Sequence, residues 1–133
     1  MIGMAVSVDG IHWNKFNDPL TTEHPFTDSD PVLTEGSPED WDGGFVWMAN
    51  VTNSPEGFRM YYTGEKDKIS AIGYAESKDG IRWTRDPGNP VFHGQDDHIN
   101  IENPSLLCLD TICFLYYNQS IPKAMIAVAT VLK

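Results

Sequence analysis

The chain is poor in basic residues, in cysteine and in long apolar runs, and each shortage removes a class of function. Nine Lys and Arg stand against 19 Asp and Glu, a formal charge of −10 with His neutral. That surplus repels polyphosphates and leaves no basic stripe for nucleic acid. It disfavours anionic membrane surfaces for the same reason. No apolar run approaches the roughly 18 residues that a membrane-spanning helix needs. Two cysteines, Cys108 and Cys113, supply neither a disulfide framework nor a four-thiolate zinc site. The opening Met1-Ile2-Gly3-Met4 has no basic stretch and no apolar signal core. A cytoplasmic location is the default expectation, although a secreted parent trimmed at its N-terminus would read the same.

What is present points to short strands. At 133 residues there is room for one domain or for part of a larger one. Eleven Gly, nine Pro and 11% aromatics suit many turns joining strands, not a helical bundle. Phe58, Met60 and Tyr62 alternate with Arg59, Tyr61 and Thr63, the period-two pattern of a strand with two faces. Val8-Asp9-Gly10 and Lys78-Asp79-Gly80 place Asp-Gly between apolar runs, a hairpin signal because Gly accepts positive φ. No stretch of about twelve residues has a convincing helical period. Cys108 and Cys113 flank Leu109-Asp110-Thr111-Ile112. With a two-residue turn at Asp110-Thr111 they would face each other across a hairpin, either as small core residues in a reducing cytosol or as a pair.

The strongest signal is an internal repeat. Ile2-Gly3-Met4-Ala5-Val6-Ser7-Val8-Asp9-Gly10-Ile11-His12-Trp13 recurs 70 residues later as Ile72-Gly73-Tyr74-Ala75-Glu76-Ser77-Lys78-Asp79-Gly80-Ile81-Arg82-Trp83, identical at eight of twelve positions. Asp30-Pro31-Val32-Leu33 answers Asn89-Pro90-Val91-Phe92, after a longer connection over 17–29. Arg59-Met60-Tyr61-Tyr62-Thr63 answers Phe114-Leu115-Tyr116-Tyr117-Asn118, and 125–130 echoes the strand beginning at Ile72. A unit of roughly 50 to 70 residues with four short strands is what a propeller blade requires. The expected fold is all-β: one partial β-propeller domain over 1–133, of about two to two and a half four-stranded antiparallel blades. Its blade segments are expected at about 2–33, 42–92 and 97–130.

These motifs resemble the blades of the five-bladed β-propeller glycosidases, the arabinanase, levansucrase and invertase superfamily with the related mannoside phosphorylases. The matching residues are Trp41-Asp42, Met60 to Gly64, Ile72 to Trp83 and Asn89 to Val91. Most of them are expected to be structural. Trp13 and Trp83 should wedge between blades, and Asp9 and Asp79 should shape hairpins. Chemistry is expected where the copies differ, on the innermost strands that line the central funnel. Laying Asp42 to Val51 on Asp97 to Leu106 puts Glu102 in the place of Trp47 and Pro104 in that of Ala49.

Glu102-Asn103-Pro104 is similar to the Glu-x-Pro segment carrying the family's general-acid glutamate, which makes Glu102 the leading candidate acid. Asp42 and Asp97 are the other candidate catalytic carboxylates, and Trp41, Trp47, Asn100 and His98 are candidate substrate-binding residues. Glycoside hydrolysis needs two carboxylates across the scissile bond, and none here matches the family's base-bearing first blade. The reading is therefore a carbohydrate-binding, glycosidase-like propeller fragment with weak or no hydrolysis. Its rivals are a glycoside hydrolase whose site is completed by oligomerisation, and a structural fragment without a ligand. No cofactor is expected. The His93-Gly94-Gln95-Asp96-Asp97-His98 run collects imidazoles and carboxylates, but a solvated connection is expected there and not a metal site. Asn50-Val51-Thr52 and Asn118-Gln119-Ser120 fit glycosylation triplets, which arise often by chance. Incomplete blades leave apolar wedge faces uncovered, so a homodimer is expected.

Overall fold

The computed structural model describes residues 1–96, 98–110, 112–120 and 124–132. Among them are eleven strands and no helix. The N-terminal ribbon is half a blade. Strands β1 (Ile2–Gly3) and β2 (Ala5–Val6) are two pieces of one line of chain, interrupted at Met4. β3 (Asn14–Lys15) pairs with β2, and β4 (Pro31–Leu33) pairs with β1 after the excursion over 17–29.

A complete blade follows. β5 (Phe45–Ser54), β6 (Gly57–Lys66), β7 (Ile69–Ser77) and β8 (Thr84–Arg85) form a four-stranded antiparallel sheet in that order. A third sheet holds β9 (Ile101–Leu109), β10 (Ile112–Gln119) and β11 (Met125–Leu132), again consecutive and antiparallel. Two strand lines, four strands and three strands make a partial β-propeller of a little over two blades.

The repeat holds at the level of individual bonds. Ala5 opposes Lys15 as Ala75 opposes Arg85, and Ile2 opposes Leu33 as Ile72 opposes Phe92. The Phe16 N–H donates to the Met4 carbonyl, as Asp86 does to Tyr74. In both hairpins the serine hydroxyl (Ser7, Ser77) accepts from the glycine N–H (Gly10, Gly80), at 2.9 and 2.8 Å. The aspartate Oδ1 (Asp9, Asp79) accepts from the two N–H groups that follow the glycine. Both glycines have positive φ, 74° and 77°, which only a residue without Cβ adopts freely.

The core lies on one face of the second blade. Val46, Met60, Tyr62 and Ala75 are buried there with Leu33 from the first ribbon, and Ile2, Trp41 and Trp83 pack against them. Gly73 makes this possible, since a Cβ on it would come within 2.5 Å of the Tyr62 ring. Trp83 therefore sits between blades as expected. Trp13 does not: it is 61% exposed, because no described element covers its ribbon on that side. Both indoles donate instead into their own hairpins, Trp13 to the Gly10 carbonyl and Trp83 to that of Gly80.

The Cys108–Cys113 hairpin forms with the two residues directly opposite, Cα atoms 4.1 Å apart, and the thiols are joined as a disulfide. Two free thiols in a reducing interior, one of the two readings of this pair, do not describe it. Thr111 of the expected turn lies outside the described residues.

Candidate functional site

The innermost strands of successive blades share one irregularity. In β5 the pairing with β6 slips between Trp47, opposite Thr63, and Asn50, opposite Tyr61. In β9 it slips between Glu102, opposite Asn118, and Ser105, opposite Tyr116. Two residues on the inner strand then face one on its partner, which is a β-bulge, a device that bends a strand and re-aims its side chains. The bulge puts Met48 and Asn103 at φ 52° and 56°. Glu102 thus occupies the backbone position of Trp47, the register expected from the sequence.

Glu102 is half-buried and held from the preceding blade. The Ser70 hydroxyl, on a residue only 1% exposed, donates to Glu102 Oε1 at 2.8 Å. The Ser70 N–H donates to Asn100 Oδ1 at 3.1 Å, and the Asn103 N–H donates to Thr63 Oγ1 at 3.0 Å. Further down, the Leu106 N–H donates to Asn50 Oδ1 at 3.0 Å. The junction is thus bonded in both directions: Ser70 donates to the Asn100 and Glu102 side chains, and two β9 backbone N–H groups donate to side-chain oxygens of the second blade. Phe92 and Tyr117 add an edge-to-face contact, ring centroids 4.8 Å apart. Asn50 and Asn118, the first residues of the two glycosylation triplets, lie inside strands β5 and β10, and Asn50 is already an acceptor in this junction.

The other sequence candidates take different places. Asp42 is 1% exposed. Its Oδ2 accepts from the Tyr62 hydroxyl and from Arg85 Nε, both at 2.9 Å. Arg85 also donates to the Thr34 carbonyl, so this ion pair ties β8 to the segment ahead of β5. Burial, then the Asp42 charge, pushes the Tyr62 phenol above its ordinary pKa and keeps it a donor. Trp41 packs beside Tyr62, centroids 5.9 Å apart, over Gly64 and Gly73. Trp47 is half-buried with its ring edge against Phe45. Asn100 serves the blade junction, and exposed His98 gives its backbone N–H to Asp96 Oδ1. Asp97 lies outside the described residues. Among the described residues no three His, Cys, Asp or Glu side chains are grouped to hold a metal ion.

Two clefts flank the second blade. One, of about 480 Å³, opens between the Ser54–Gly57 turn and the Ser77–Thr84 hairpin, at the far ends of the strands from Glu102. The other, of about 390 Å³, lies at the near ends, between the β6–β7 turn and the connection leading to β9. Ser70 and Trp41 line it. Neither Glu102 nor Trp47 lines either cleft. Sequence reasoning passed over Ser70 and Thr63. Both are small polar residues below 2% exposure, and nothing local in the sequence marks them, since their partners lie on β9.

Bulged inner strands, blade-to-blade bonds and the repeat define a β-propeller, present in part. Comparison with solved structures agrees. A protein described as a glycoside hydrolase superimposes with a TM-score of 0.71 at 21% identity, over 97% of this chain and 40% of that one. A structure described as a complex of BT0996 with RGII gives 0.68 at 21%, over 90% of this chain and 36% of that one. A glycoside hydrolase-like protein from Bacteroides ovatus gives 0.59 at 27%, over 70% of this chain and 30% of that one. This chain therefore spans well under half the length of each. No protein-family model matches it, and no curated protein does.

Proposed function

We propose that this protein binds carbohydrate through the start of its third inner strand and hydrolyses glycosides weakly or not at all on its own. The observation that carries this is Glu102, half-buried on β9 and bonded by Ser70, in a Glu-Asn-Pro segment similar to the one that carries the general acid in the glycosidase propellers it resembles. Hydrolysis needs a second carboxylate placed across the bond. Asp42, the other described candidate, is committed to Arg85 and Tyr62. A lone acid can hydrogen-bond a sugar hydroxyl without completing the reaction. The neighbour described as a complex with RGII supports a carbohydrate ligand and names the first oligosaccharide to try. Calorimetric titration with that oligosaccharide should show binding without released reducing sugar, weakened by Glu102→Gln. Turnover abolished by Glu102→Gln would favour a working hydrolase, and no heat with any glycan would overturn the reading.

A second reading, a site completed by another copy, draws on one further observation. Val8, Ile11 and Trp13 on the first ribbon, and Ile126 and Val128 on the third sheet, are half-exposed or more. Their burial is worth roughly 1.5–3 kcal/mol each, which a dimer would recover. Light scattering at micromolar concentration should give about 30 kDa for the chain of 14.9 kDa, and a stable monomer would remove this reading.

A further inference from the structure

We propose that the cleft of about 390 Å³ between the β6–β7 turn and the connection to β9 is a second binding site, selective for a neutral, hydroxyl-rich ring such as one monosaccharide unit. It rests on the carbohydrate reading only for the class of ligand; the site itself is separate from Glu102, which does not line it.

Its construction argues for a ligand of that kind. Part of the lining is apolar and aromatic, from Trp41, Ile69, Pro90 and Ile99. A flat ring with one apolar face can pack on such side chains. Polar residues, Asp67, Asp96 and His93 among them, supply another part. Asp67 and Asp96 bring carboxylates, and Asp96 is fixed by the His98 N–H on its Oδ1 at 2.9 Å. His93 places Nδ1 2.7 Å from the Gly94 carbonyl. A carbonyl only accepts, so Nδ1 is the donor in this contact. Lys66, the one Lys or Arg among the described lining residues, is already 3.6 Å from Glu39.

A lining with two carboxylates and a partnered cation calls for donors from its ligand. Hydroxyls supply them without charge. An anion would face Asp67 and Asp96 in a chain of net charge −10. An ammonium would be attracted by those carboxylates, so amines are the class to separate experimentally. The volume sits near the lower end of small-molecule pockets, about 300–1,000 Å³, which suits one ring and not a long oligomer.

The test uses the intact chain, ¹⁵N-labelled, titrated with glucose, glucosamine and glucuronate, which share a ring and differ in charge. Glucose should give saturable amide shifts at Ile69, Ser70, Gly94 and Ile99, with millimolar affinity. Asp96→Ala and His93→Ala, both on exposed residues, should weaken it at least five-fold, and Glu56→Ala, on the exposed edge of the other cleft, should leave it unchanged. Shifts confined to Asn100–Asn103 and lost in Glu102→Gln would sink the second site while sparing the carbohydrate reading. Tighter binding of glucosamine or glucuronate would overturn the neutral class, and no saturable shift with any of the three would overturn the site.

Discussion

Met48 and Asn103 hold the same strained backbone position 55 residues apart, each the first residue of a bulge in an inner strand. The side chains differ in what they tolerate there. Asn accepts a left-handed φ because its short amide bonds locally, whereas Met meets the ordinary clash of about 1–2 kcal/mol. Evidently the blade geometry imposes the bulge on either residue.

Met48→Asn should therefore stabilise the fold, by about 0.5–1 kcal/mol, since Met48 is 53% exposed and gives up little packing. Met48→Val, a β-branched residue at positive φ, should destabilise it by more than about 1 kcal/mol. Urea midpoints for the two variants check this, and equal midpoints would show that the bulge carries no strain.

Arg85→Met should cost about 3 kcal/mol, because it leaves the Asp42 carboxylate buried at 1% exposure with only the Tyr62 hydroxyl. The double variant Arg85→Met with Asp42→Asn should recover part of the loss, since the remaining buried group is then neutral. Denaturant unfolding of the single and double variants measures the coupling. A single variant as stable as the parent would mean the pair is not formed in solution.

The Asp79 carboxyl is held down to about 2, against an ordinary 3.8, chiefly by the N–H groups of Arg82 and Ile81. Asp9 is lowered too, first by its bond to His12. A depressed folded pKa means that the unfolded chain takes up protons first as pH falls. This contribution is complete above about pH 4 and is lost between there and pH 2. Asp79→Ala should show a smaller drop in denaturant midpoint than the parent between pH 4.5 and pH 2.5. An identical drop in both would remove Asp79 from acid sensitivity.

Reducing the Cys108–Cys113 bond should lower stability by about 2 kcal/mol, the value expected for closing so short a loop. Thiol titration of unfolded, unreduced protein should find no free sulfhydryl. A full complement of two thiols would show that the pair stays open.

How much of this could be read in advance depended on range. The Ser-x-Asp-Gly hairpins were legible because their bonds close within three residues, from Ser77 to Gly80 and from Asp79 to Arg82. The inner-strand register was legible because two copies could be laid on each other, and Glu102 fell on Trp47. The pairing of Asp42 with Arg85 was not legible because that partner stands 43 residues away and nothing local announces it. Ser70 and Thr63 escaped notice because their role exists only once β9 lies against them.

The second blade meets its two neighbours by a different balance of chemistry. Toward the first ribbon it presents mainly apolar side chains, with bonds at the edges from Met1 to the Val46 carbonyl and from Arg85 to the Thr34 carbonyl. Toward β9 it presents a row of hydroxyl and amide bonds. Apolar contact tolerates sliding, while directional bonds fix angle and height to a fraction of an ångström. The molecule is thus built like a vise with one padded jaw and one keyed jaw. The carboxylate proposed to meet the sugar is mounted on the keyed side, where any rotation of the third sheet would have to break several bonds at once.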